Sequence, residues 1–135
     1  MIRTALLWFA LTVAAGALIL TVKVTGWWPE LWQMRIPHIE AGLMGWFLLL
    51  VMGTAWWILP RKVWKEHQRG HPAWAWSAYV LLNGGMISIM LNFTGSLIAS
   101  IGVATYFGAI ICFIVGIWPR VISVKDELRK RASTG

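Results

Sequence analysis

The chain has 135 residues, of which 59% are hydrophobic and only 13% charged, a balance unsuited to a small soluble domain. Its net charge of +7 does not point to nucleic acid, because the basic residues sit at the ends of apolar runs, where attraction to anionic lipid headgroups accounts for them. One cysteine, Cys112, leaves no disulfide and no thiolate metal framework.

Four long apolar runs, 5–22, 39–59, 73–93 and 97–118, each approach or exceed the ~20 residues that a spanning helix needs. They leave short connections, and no segment outside them is long enough to bury a core of its own. The expected fold is therefore an all-α integral membrane protein: one domain over 1–135, an antiparallel four-helix transmembrane bundle, with 119–135 as a basic tail. Arg3 precedes the first run, Arg61, Lys62, Lys65 and Arg69 crowd the second connection, and Arg120, Lys125, Arg129, Lys130 and Arg131 follow the last run. The first connection has only Lys23 and Arg35, and the third has no basic residue. By the positive-inside rule both termini and the second connection face the cytoplasm, in the cell (plasma) membrane.

Span one opens with Arg3 and carries Ala14-Ala15-Gly16-Ala17, a signal-peptide-like pattern. The apolar run continues through Leu18-Ile19-Leu20 to Val22 without a polar exit, so it reads as a span. It holds Thr12, Gly16 and Thr21 and no carboxylate. Small multidrug transporters have a similar size and span count but depend on an acidic residue in their first helix, and this chain departs from them there. The connection 23–37 contains Trp27, Trp28 and Trp32, whose indoles favour the headgroup boundary. It is expected to be an interfacial half-helix or loop. The functional reading adds a lid over a cofactor, with Lys23 and Arg35 offering charge to its carboxylates.

Span two carries the sharpest chemical signal. His38 stands at its outer end, with Gly42 and Gly45 on the same helix face one and two turns deeper. A ligating imidazole followed by glycines suits a flat macrocycle that must approach the helix backbone. Glu40 is two positions on and points to the other side, where it pairs with Lys23 or Arg35 or faces outer water. Trp46 is expected inside the bundle, and Trp56 and Trp57 in an inner belt with Trp64, Trp74 and Trp76.

His67 and His71 are spaced i,i+4, but Arg69-Gly70 and Pro72 between and after them favour a solvated loop end over a metal clip. Span three has Asn83-Gly84-Gly85 near mid-depth, where Asn83 is expected to hydrogen-bond to another helix. Met90 falls near the depth of His38, so its thioether is the candidate second haem ligand, against the reading that it packs. Span four carries Gly102, Thr105, Gly108, Ala109, Cys112 and Gly116, a small-residue stripe suited to packing within the bundle or to a homodimer. Nothing in the chain resembles a nucleophile–base pair, a phosphate loop or paired carboxylates.

His38-x-x-x-Gly42-x-x-Gly45-Trp46-Phe47, ending in Leu59-Pro60-Arg61, resembles the second helix of haem-copper oxidase and nitric oxide reductase large subunits, and is similar to small four-span proteins related to that superfamily. In the large enzymes a histidine at the outer end of this helix ligates the low-spin haem, and by position that residue is His38. The departure is equally plain: the enzymes supply further histidines from later helices, whereas only His67 and His71 remain here, a membrane thickness of ~30 Å from His38. An oxygen-reducing binuclear centre is not encoded. Two function classes follow. One is a b-type haem protein for electron transfer or for binding a diatomic gas such as nitric oxide or oxygen. The other is a cofactor-free accessory or assembly subunit of a respiratory membrane complex.

Overall fold

The computed structural model describes residues 1–59, 71–91 and 97–134, with the side chains of the last helix described to Trp118 and at Arg129, Ala132 and Ser133. Pro60, Arg61, Lys62, Trp64, Lys65, His67 and Arg69, which figure in the expectations above, lie outside the described residues, as do the side chains of Arg120, Lys125, Lys130 and Arg131. Among the described residues every regular element is a helix.

Helix α1 (Ile2–Thr25) is an uninterrupted apolar run without proline. The Thr21 and Thr25 hydroxyls bond back to the carbonyls of Ala17 and Thr21 at 2.9 and 2.8 Å, so both polar groups are satisfied inside the helix. The helix stops at Gly26, whose left-handed φ of 71° lets its N–H close on the Val22 carbonyl. Trp28 is also left-handed, with φ 51°, and turns the chain into a 3-10 segment, Pro29–Met34, that proline opens. Helix α2 (Arg35–Glu40) then passes without a break into a π-helical stretch, Ala41–Leu48, and on into α3 (Leu49–Ile58). Leu59 leaves in extended geometry, as a residue before proline must.

Most of the expected interfacial connection is thus helical, and the second crossing segment runs from Pro29 to Ile58. Helix α4 (Pro72–Leu91) again begins on proline. Helix α5 (Leu97–Thr134) runs on through Pro119, so the stretch expected as a tail continues the helix. Proline removes only its own N–H from the ladder, and the turns on either side remain bonded.

Among the described residues, four helices are long and apolar enough to cross a membrane: Ile2–Thr25, Pro29–Ile58, Pro72–Leu91 and Leu97–Trp118. Their outer faces are covered with large apolar side chains, Leu7 at 60% and Phe107 at 64% exposure among them. A continuous apolar coat of this kind suits lipid rather than water. This is the architecture of a multi-pass membrane protein.

The core draws on every crossing segment: Ala5 from α1, Leu49 and Met52 from α3, Ala78, Leu82 and Met86 from α4, and Tyr106, Ala109 and Phe113 from α5. Between α4 and α5 the backbones themselves meet. A Cβ on Gly85 would lie 2.7 Å from the Gly102 carbonyl oxygen, and one on Gly102 would lie 2.9 Å from that of Gly85. Further along, Leu81 packs at Gly108 and Trp74 at Gly116, while Ala109 is fully buried. The α5 stripe is therefore used inside the chain, against α4.

The contacts of α1 with the second crossing segment are of another kind. Ile2 fills the space at Gly53, Trp8 that at Gly45, Thr12 that at Gly42, and His38 that at Gly16. Two hydrogen bonds tie α1 to α4. Thr4 and Tyr79 share one between hydroxyls at 3.0 Å, and Trp8 Nε1–H donates to Asn83 Oδ1 at 3.2 Å. Asn83 makes the cross-helix bond expected of it.

Candidate functional site

His38 lies half-buried against α1. Its Cε1 edge occupies the space that a side chain at Gly16 would take, the ideal Cβ position being 2.9 Å away. Its Nδ1 is 3.0 Å from the Thr12 carbonyl oxygen. A carbonyl only accepts, so Nδ1 carries the proton in this bond and Nε2 keeps its lone pair. A backbone acceptor fixes both the tautomer and the ring plane, which is the support that ligating histidines ordinarily have. No hydrogen bond to Nε2 is made among the described residues.

A groove of about 390 Å³ opens beside this ring between α1 and the start of the second crossing segment. Ile19, Leu20 and Ile39 give it apolar walls, and Lys23, Arg35 and Trp32 line it with charge and an indole. The Arg35 guanidinium stands 5.6 Å from the centre of the Trp32 ring, a cation–π distance that steadies an exposed arginine. The fold thus brings His38, Lys23 and Arg35 to one groove, although they come from two elements.

Gly42 and Gly45 are placed differently. Thr12 Cγ2 comes within 3.2 Å of a Cβ on Gly42, and the Trp8 ring and Met86 Sδ within 2.7 and 2.9 Å of one on Gly45. The glycines admit α1 side chains, and the room above them is filled by protein. They lie in the π-helical stretch, a wider helix that occurs frequently at functional sites. Met90 does not line the groove; it packs, partly buried, against the core cluster. Trp46 stacks at 4.8 Å on Phe9 of α1.

Glu40 forms neither of the ion pairs expected for it. The Tyr106 hydroxyl donates to its Oε2 at 2.7 Å, joining α2 to α5. Tyr106 is buried and Glu40 half-buried, so a carboxyl near the end of a span is held by a phenol. Sequence reasoning missed this partner; the signal available was a single phenol in an otherwise apolar run. It also missed Thr12, whose carbonyl orients His38 and whose Oγ1 is buried without a hydrogen-bond partner. His71 is exposed just before α4. Among the described residues no three histidine, cysteine, aspartate or glutamate side chains gather into a metal site.

Among the described residues the fold is all-helical, with four helices long and apolar enough to cross a membrane. No family model, no curated protein and no solved structure matches the chain.

Proposed function

We propose that this protein is a b-type haem protein of the plasma membrane, with His38 as the protein ligand to the iron and with Lys23 and Arg35 as partners for the haem carboxylates. The observation that carries this reading is the anchored imidazole: Nδ1 is held by the Thr12 carbonyl, and Nε2 remains available beside a groove edged by two cations. These residues fit the group. Haem brings its own ring nitrogens and asks only one or two axial ligands of the protein, so the absence of a multi-ligand cluster among the described residues is no obstacle. Apolar walls suit the ring, and cations at the rim suit its propionates.

The haem in this reading lies on the Lys23 and Arg35 side of His38, with Gly42 and Gly45 serving to seat α1. When bound, it supplies one-electron chemistry and an axial position for a small ligand. Because Met90 packs elsewhere, the reading favours binding of a diatomic gas over a methionine-closed electron carrier. It extends the resemblance of the His38–Gly42–Gly45 pattern to the second helix of haem-copper oxidase large subunits.

The proposal includes an antiparallel bundle with both termini in the cytoplasm. Supporting it, the numbers of residues that meet between α1 and the second crossing segment sum to a near constant: 2 with 53, 8 with 45, 12 with 42, 16 with 38. The same holds for α4 and α5, with 74 meeting 116, 81 meeting 108 and 85 meeting 102. Basic residues alternate sides accordingly. Cysteines placed at Trp28 and at Arg129, in a Cys112→Ala background, are expected to label from outside and inside respectively. Labelling of both from one side contradicts the orientation.

Protein purified from haem-replete membranes is expected to show a Soret band and the reduced α and β bands of a b-type haem, with a Soret shift on adding carbon monoxide. A colourless, folded preparation selects the cofactor-free accessory subunit instead.

A further inference from the structure

A second cavity has no part in the His38 groove. It holds about 680 Å³ at the other end of α1, between the first turn of α1, the end of α3 and the start of α4. Trp56, Trp57 and Trp76 wall it, and Trp76 stands edge-on to Tyr79, with ring centres 5.7 Å apart. Thr4 and Tyr79 also line it, and their hydroxyls are bonded to each other at 3.0 Å. In that pair one hydroxyl donates, and the other keeps its proton free for a ligand oxygen. Among the described residues, Arg3 is the one charged side chain in the lining, and no acidic residue lines the cavity.

From this geometry we propose that the cavity is a binding site for an anionic phospholipid of the surrounding bilayer. The phosphate lies against the Arg3 guanidinium and the Thr4–Tyr79 hydroxyls, and an acyl chain lies along the tryptophan wall. The position supports it, because the lining residues come from helix ends, which in a spanning bundle reach headgroup depth. Charge supports it too. A cation with no carboxylate beside it among the described lining residues favours an anionic headgroup over a zwitterionic one, whose own cation finds no partner in that lining. The apolar volume distinguishes the ligand from a free phosphate ion, which would leave the indole walls unused. Unlike the general attraction of basic tails for a membrane surface, this site asks for one headgroup at one place.

The test reconstitutes the purified full chain in vesicles of equal phosphatidylglycerol and phosphatidylcholine, re-extracts it in mild detergent, and measures the lipid that remains bound. Phosphatidylglycerol is expected to exceed phosphatidylcholine about fivefold, the selectivity that one well-placed cation gives near a membrane surface. Arg3→Gln, at an exposed position that does not threaten the fold, is expected to bring the ratio close to one. Arg3→Lys is expected to retain most of it, and Arg129→Gln to leave it unchanged. A phosphatidylglycerol with a photoreactive acyl chain is expected to crosslink within residues 53–57 and 72–79. Equal retention of the two lipids overturns the proposal. So do a ratio indifferent to Arg3→Gln and crosslinks spread evenly over the outer faces.

Discussion

The two helix pairs of this bundle are packed on different principles. Between α4 and α5, Gly85 and Gly102 bring backbone against backbone, and a Cβ on either would meet the other's carbonyl oxygen. Between α1 and the second crossing segment, each glycine faces a side chain: Ile2, Trp8, Thr12 or His38. Backbone contact at Gly85 and Gly102, with Thr105 and Ile89 packed beside it, draws the two helices close and makes α4–α5 a support. Contact through side chains leaves grooves and admits polar groups, and the anchored His38 and its groove lie on that side. Under the proposed function, stability and chemistry are divided between the pairs.

The sharpest way to break this division is the same substitution on both sides. Gly85→Ala must displace a carbonyl and the Thr105 and Tyr106 side chains, so it is expected to lose about 1–3 kcal/mol or more, read as thermal unfolding by circular dichroism in detergent. Gly42→Ala meets only the Thr12 methyl, at 3.2 Å, and is expected to stay within about 1 kcal/mol of the parent. Equal losses at the two positions would erase the distinction.

The bridge between the pairs comes next in size. Tyr106→Phe leaves the Glu40 carboxyl without its partner and is expected to cost about 1–3 kcal/mol in the same assay. The haem spectrum is expected to be unchanged, because Tyr106 does not line the groove. A lost spectrum with intact folding would move the site towards α5. The smallest effect belongs to Thr12→Val. Its hydroxyl is buried without a hydrogen-bond partner, and His38 is held by the backbone carbonyl. The change is expected to be neutral within about 0.5 kcal/mol, or slightly stabilising, and to leave the spectrum as it was.

Much of the fold was legible because lipid imposes a simple rule: a spanning segment must satisfy its backbone internally and show apolar side chains outward. The four runs therefore coincide with four helices, differing by a few residues at most ends. The first connection was harder. Three tryptophans signalled an interface, but not that Trp28 would turn left-handed and let the second segment begin at Pro29. The π-helical stretch from Ala41 to Leu48 had no signal beyond its two glycines.

At the site, Lys23, Arg35 and His38 were named from depth and charge, and depth is what the helix register preserves. The roles of Gly42 and Gly45 depended on which helix covers that face, which is a matter of bundle geometry that one sequence does not specify. Glu40 finding Tyr106 across 66 positions is of the same kind. Span periodicity gives faces, not partners. The α5 stripe shows the limit well, since packing within the chain and packing between copies ask for the same residues, and it takes the structure to show that Gly85, Leu81 and Trp74 of α4 meet Gly102, Gly108 and Gly116.

The most direct test of the account is the haem content of His38→Ala. The variant keeps the apolar lengths of all four spans and is expected to insert and fold. It loses the one nitrogen that the Thr12 carbonyl orients beside the groove. Purified alongside the parent from the same haem-replete membranes, it is expected to show no Soret band, while the parent carries close to one haem per chain. A stoichiometric b-type haem retained by the folded His38→Ala protein would contradict the assignment of this site.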